Sequence, residues 1–137
     1  MFFLGNCLVH WISRRQNRCA NSTCESEILS IQEGVFDAEY LKSLLTELHF
    51  GCLFDEPVRL FNDNQGDVKT VESCGKFGSN RHYRVRVGTI RDAVRQKFIS
   101  VEHLTGEQMR ADLLTKALSS DRQKLLLALC DLGPRAT

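Results

Sequence analysis

An α/β fold is what this chain predicts, and three observations predict it. Strand-like and helix-like stretches follow one another in the order hairpin, long helix, strand, helices, strand, helix, helix. The 137 residues fit one domain, and an apolar content of 42% is enough to bury a real core. The stretches are also separated by turn and cap chemistry, from Gly5-Asn6 near the start to Gly133-Pro134 near the end.

Phe2-Phe3-Leu4 and Leu8-Val9-His10-Trp11-Ile12 are rich in strand formers and flank the turn-prone pair Gly5-Asn6, so they predict a β-hairpin. Its first strand starts abruptly at Met1, which implies missing sequence upstream. Ser22-Thr23 offers an N-cap for a helix that takes in Glu25, Glu27, Ile28, Leu29 and Ile31. Gly34 is expected to weaken or kink that helix. Asp37 can cap a continuation in which Leu41, Leu44, Leu45 and Leu48 form an apolar stripe that reads as core. Val58-Arg59-Leu60-Phe61 is a buried-strand candidate running into Asn62-Asp63-Asn64, and a helix follows from Gln65 to Glu72. A loop over Cys74–Asn80 leads to a basic helix from about His82 to Phe98, and Ile99-Ser100-Val101-Glu102-His103 alternates like a strand. Thr105 and Gln108 have the spacing of a capping box, which predicts a helix with Met109, Leu113, Leu114 and Leu118 on one face. Ser120 or Asp121 caps a last helix carrying Leu125, Leu126, Leu127 and Leu129, and Gly133-Pro134 ends it.

Composition narrows the function classes. Lys plus Arg (18) nearly equals Asp plus Glu (17), so the net charge of +1 points to no particular partner. The six cysteines contain no C-x-x-C pair and the four histidines are scattered, which argues against a thiolate or histidine metal site. With no secretory signal they read as free thiols in a reducing compartment. No run approaches transmembrane length, so a soluble, intracellular protein is expected.

The candidate chemistry lies in acids at element edges. Glu25 and Glu27 sit roughly 200° apart around a helix axis and cannot address one site, and composition leaves open which of them matters. Asp63 falls at the C-terminal end of a strand, where α/β folds place ligand groups; it is equally suited to capping the next helix. Asp112 is either a solvated helix residue or a ligand. Basic residues concentrate locally. From Lys76 to Lys97 there are seven (Lys76, Arg81, Arg84, Arg86, Arg91, Arg95, Lys97) against the single acid Asp92, and Arg14, Arg15 and Arg18 cluster after the hairpin. Such runs are either phosphate-facing or simply solvated.

Taken in order, these motifs resemble the C-terminal RNase H domain of Copia-type (Pseudoviridae) retrotransposon Pol polyproteins. Trp11-x-Ser13-Arg14-Arg15-Gln16 is similar to that family's W-x-S-K/R-K/R-Q, and Ser22-Thr23-Cys24-Glu25-Ser26-Glu27 to its S-S-T-E-A-E-Y. Tyr40-Leu41-x-x-Leu44-Leu45-x-Glu47-Leu48 resembles its W-L-x-x-L-L-x-E-L. Asp63-Asn64-Gln65 is similar to its D-N-Q, and Glu107-Gln108 with Ala111-Asp112-x-Leu114-Thr115-Lys116 to its E-Q-x-A-D-x-L-T-K. The family's H-I-D-x-R-x-H is kept only at His82 and Arg86. Arg84 stands where an acid is usual and Gly88 where a second histidine is usual.

The resemblance implies an RNase H-like mixed β-sheet flanked by helices over residues 1–118, with 119–137 a C-terminal helix and tail. It implies metal-ligating, catalytic acids at Glu27, Asp63 and Asp112, favouring Glu27 over Glu25. Two Mg²⁺ or Mn²⁺ ions would sit ~3.5–4 Å apart, and the substrate would be the RNA strand of an RNA–DNA hybrid. Arg14, Arg15, Arg86 and Arg91 would contact nucleic acid, and the rest of a Pol polyprotein, reverse transcriptase included, would be the partner. The family's fourth acid belongs to a first, central strand upstream of the hairpin, absent from this sequence. An impaired nuclease is therefore expected, with exposed ladder groups on the neighbouring strands. The alternatives are a non-catalytic remnant that binds nucleic acid or a protein, and a small α/β domain whose acids are all structural.

Overall fold

Helix α1, Thr23–Glu47, is the longest element. The computed structural model describes residues 1–13, 23–51, 55–73 and 81–132. Arg14, Arg15, Arg18, Ser22, Lys76 and Gly133-Pro134 lie outside the described residues, as does the loop expected at 74–80. Two compact units are formed, Ala20–Leu104 and the pairing of Met1–Cys19 with Thr105–Thr137.

In the unit Ala20–Leu104, strand β3 (Val58–Asn62) pairs in parallel with β4 (Ile99–His103), in the register Val58 with Ile99 through Asn62 with His103. Parallel neighbours need a long crossover. Here it is made by helices α2 (Gln65–Glu72) and α3 (Arg81–Arg95). Ile28, Ile31 and Val35 of α1 pack with Val68 and Val71 of α2, Val87, Ile90 and Ala93 of α3, and Ile99 and Val101 of β4. These side chains lie at helical spacing on each helix and alternate on β4, so pattern and core agree.

α1 departs from the sequence reading twice. It runs through Gly34 without a break, and a Cβ at Gly34 would meet Leu60 Cδ1 and Cδ2 at an ordinary 3.8 Å. Packing of the flanking buried residues Ile31, Val35 and Ala38 outweighs the glycine's low propensity, worth about 1 kcal/mol. The leucine stripe expected in the core is also not buried: Leu41 and Leu45 are half-buried, while Leu44 and Leu48 are 39% and 55% exposed. Length explains it. A helix of 25 residues spans roughly 37 Å, whereas five-residue strands span roughly 16 Å. The last turns of α1 outrun the sheet.

α1 and α3 end alike. The His49 and Phe50 N–H groups donate to Thr46 and Leu45 carbonyls, and those of Lys97 and Phe98 to Val94 and Ala93. His49 and Lys97 take left-handed φ values of 66° and 56°. Both ends are Schellman motifs in which a residue with a Cβ occupies the position that favours glycine.

In the other unit, β1 (Phe2–Leu4) and β2 (Cys7–His10) form the expected hairpin, with Gly5 at φ 60° in its turn. The hairpin and the β3–β4 pair are separate two-stranded sheets, so the single mixed sheet expected from sequence is not what the described strands form. The one helix expected from Thr105 is likewise replaced by a 3₁₀ turn, Gly106–Gln108, and a short α4, Asp112–Thr115. Thr105 makes no side-chain cap bond, and Met109 adopts extended backbone (ψ 93°) that interrupts helical geometry. α5 (Ser120–Leu129) is capped one residue earlier than expected, by Ser119, whose Oγ accepts from the Arg122 N–H. It buries Leu126 and leaves Leu125 exposed. It ends in a third Schellman motif, with Asp131 at φ 56° and the Leu132 N–H on the Leu127 carbonyl.

Candidate functional site

The C-terminal end of β3 is where candidate residues meet. Asn62, the last residue of the strand, is only 7% exposed. Its Nδ2 donates to Glu27 Oε2 at 3.3 Å, and its Oδ1 accepts from the Asn64 N–H at 2.6 Å. Asn64 in turn caps α2, its Oδ1 accepting from the Gly66 N–H at 2.9 Å. Asp63 therefore does not hold the capping position that the sequence allowed it. It stands exposed between two asparagines whose side chains fold the turn around it. Glu27 is half-buried, and Asn62 brings it to the strand end that bears Asp63.

The two acids of the first α1 turns have separate tasks. Glu25 is buried and its Oε1 pairs with Arg86 Nη1 at 3.2 Å, which ties α1 to α3. Glu27, on the other side of the helix, has the neutral Asn62 amide as its partner and no cation in ion-pair contact among the described residues. The angular separation of positions 25 and 27 becomes a separation of role: one acid is neutralised inside the fold, the other faces the strand end.

Asp112 belongs to the other unit. It is 8% exposed, and its Oδ1 pairs with Lys116 Nζ at 2.8 Å, one turn further along. The Ser13 hydroxyl donates to the Leu114 carbonyl at 3.1 Å, anchoring the short helix that starts at Asp112. Among the described residues no group of three or more His, Cys, Asp or Glu side chains converges as a metal site.

The arginines are placed unevenly. Arg86 is spent on Glu25. Arg91 donates through Nε to the Val71 carbonyl (3.0 Å) and through Nη2 to the Thr70 carbonyl (2.8 Å), satisfying the last turn of α2. Both are internal ties, whereas Arg81, Arg84, Arg95 and Lys97 are exposed. Arg14 and Arg15 lie outside the described residues. Asn62 was not among the residues sequence reasoning singled out. The available signal was a polar residue closing an apolar strand directly before an Asp-Asn pair.

Among the described residues no helix is long and apolar enough to cross a membrane. No protein-family model matches the chain, and no solved structure matches it. Two Arabidopsis thaliana proteins do, the retrovirus-related Pol polyproteins from transposons RE1 and RE2; each is 28% identical over 117 residues, which is 85% of this chain. The retrovirus-related Pol polyprotein from transposon TNT 1-94 of Nicotiana tabacum is 25% identical over 125 residues, 91% of this chain. The matched region is 8–9% of the length of these relatives. Over most of its length, then, the chain is similar to one small segment of transposon Pol polyproteins.

Proposed function

We propose that residues 1–118 are an RNase H-like segment of a transposon Pol polyprotein, directed at the RNA strand of an RNA–DNA hybrid. One observation carries the reading: the Asn62–Glu27 hydrogen bond brings a carboxylate that has no cationic partner among the described residues to the strand end bearing Asp63. Carboxylates are hard oxygen donors that suit Mg²⁺ or Mn²⁺, and Asp63 lies at the surface. In this reading Glu27 and Asp63 are two ligands, and the resemblance implies Asp112 as a further one; a bound ion would polarise a phosphoryl oxygen and activate water. The chain's own contribution is to hold the Glu27 carboxylate through Asn62 and to fix the Asp63 turn through Asn64. Phosphate contact falls to the exposed Arg81 and Arg84, since Arg86 and Arg91 are engaged inside the fold.

A second reading, a non-catalytic segment that binds nucleic acid, is favoured by the Asp112–Lys116 pair, in which a candidate ligand is already neutralised at 2.8 Å. The test is Mg²⁺- and Mn²⁺-dependent cleavage of a labelled RNA–DNA hybrid. It is run on the chain and on a form extended upstream of Met1 by a strand bearing an aspartate, the fourth acid that the resemblance implies. The hydrolytic reading expects the extended form to cut, and Asp63→Asn or Asp112→Asn to slow it by at least about 100-fold. Hybrid binding without cleavage in both forms would establish the second reading, and neither binding nor cleavage would overturn both.

A further inference from the structure

We propose that Asn62 is a positioning residue: its side-chain amide locks the Glu27 carboxylate to the backbone turn that carries Asp63, so that the two acids are held as one unit. The proposal rests on the hydrolytic reading for its purpose and on hydrogen-bond geometry for its substance. Asn62 has one acceptor and one NH₂ donor on its side chain, and both are committed. The backbone N–H of Asn64 can only donate and an ionised carboxylate can only accept. The amide therefore has one possible orientation, with Oδ1 on Asn64 and Nδ2 on Glu27. Rotating it would put oxygen against carboxylate and NH₂ against N–H, losing both bonds at once.

The frame around the amide is stiff. Asn62 is the last β3 residue, and its carbonyl accepts from the Leu104 N–H at 2.9 Å. The Asn64 that its Oδ1 engages is itself fixed as the cap of α2. On the Glu27 side, the neighbouring Glu25–Arg86 pair holds the first turns of α1 against α3. Glu27 is thus presented by a pinned helix to a pinned strand end, and Asn62 is the link between them. A turn-forming asparagine needs only its oxygen; the donor to Glu27 is what adds positioning.

The experiment uses the whole chain, ¹⁵N-labelled, and reads two quantities. The first is hydrogen exchange of the Asn62 side-chain NH₂ and of the Asn64 backbone N–H. Glu27→Ala is expected to speed exchange of the Asn62 NH₂ by at least about 10-fold, with exchange at core positions such as Ile90 unchanged. The second is the Mn²⁺ dissociation constant by electron paramagnetic resonance. Asn62→Ala is expected to weaken Mn²⁺ binding about 10-fold, the lower end for loss of a partner behind a ligand, and to add nothing further in a Glu27→Ala background. Asn62→Asp, which keeps the acceptor for Asn64 but sets a second carboxylate against Glu27, is expected to protect the Asn64 N–H as the parent does, yet not to restore affinity through Glu27. If Asn62 NH₂ exchange is unaffected by Glu27→Ala, the proposal is overturned whether or not metal binds. If exchange responds but neither parent nor variant binds Mn²⁺, the coupling stands and the hydrolytic reading fails.

Discussion

Replacing Arg86 by Met tests the internal frame of the site. Arg86 and Glu25 are 8% and 7% exposed, and their charged atoms lie 3.2 Å apart between α3 and α1. Removing the guanidinium strips a buried carboxylate of that cation, a change that costs ~3–5 kcal/mol when an ion pair is broken from one side. A domain of this size has only about 5–15 kcal/mol of stability to lose. At roughly 3–5 °C per kcal/mol for a chain of this length, the melting temperature should fall by about 9–25 °C. The assay is thermal and urea unfolding, with the urea midpoint shifting at constant slope. The double variant Glu25→Leu/Arg86→Met should recover most of the loss, because an apolar pair of similar volume replaces a buried ion pair at little cost. A loss under about 1 kcal/mol in Arg86→Met, the size of an exposed pair, would refute the reasoning. So would a double variant as unstable as the single one.

Three further outcomes are expected. Lys97→Gly and His49→Gly should each stabilise the chain by about 0.5–1 kcal/mol in urea titrations, because each relieves a Cβ at left-handed φ, and the gains should add. Asn64→Ala should cost about 1 kcal/mol through loss of the α2 cap, whereas Asp63→Asn, at an exposed position one residue earlier, should leave unfolding within about 0.5 kcal/mol of the parent. Burial pushes the Cys130 thiol above its ordinary range, against a smaller opposing pull from Arg110. A raised folded value means that its contribution is complete below the ordinary thiol range and is lost as pH climbs, so the melting temperature should fall from about pH 8.5 upward. In the folded state iodoacetamide should label the exposed Cys7 well before Cys130.

Local chemistry read from sequence held where the chain's own neighbours decide the outcome. The Gly5-Asn6 hairpin, the extents of β3 and β4 and the helix Gln65–Glu72 need only turn residues, alternation and a capping asparagine, although β3, expected to be buried, leaves Arg59 and Phe61 exposed. The reading failed where tertiary reach decides. Leu44 and Leu48 have the spacing of a core stripe, but spacing cannot reveal that the sheet is shorter than the helix above it. The Thr105–Gln108 spacing matches a capping box, yet the chain spends those residues on a 3₁₀ turn, with the Arg122 guanidinium on the Gly106 carbonyl. Arg86 and Arg91 read as surface charge from composition; their partners, Glu25 and the α2 carbonyls, come from other elements. The site shows the same division. Asp63 and Glu27 were legible as edge acids, while Asn62, which joins them, is meaningful only once helix and strand are side by side.

The metal site at the end of β3 is tested most directly by residue-resolved Mn²⁺ line broadening in ¹H–¹⁵N spectra of the whole chain at substoichiometric metal. Metal held at the end of β3 should broaden Glu27, Asn62 and Asp63 together and first. Broadening that begins instead at other exposed acids such as Asp92, Glu107 or Asp121, with Glu27 and Asp63 left sharp, would contradict it.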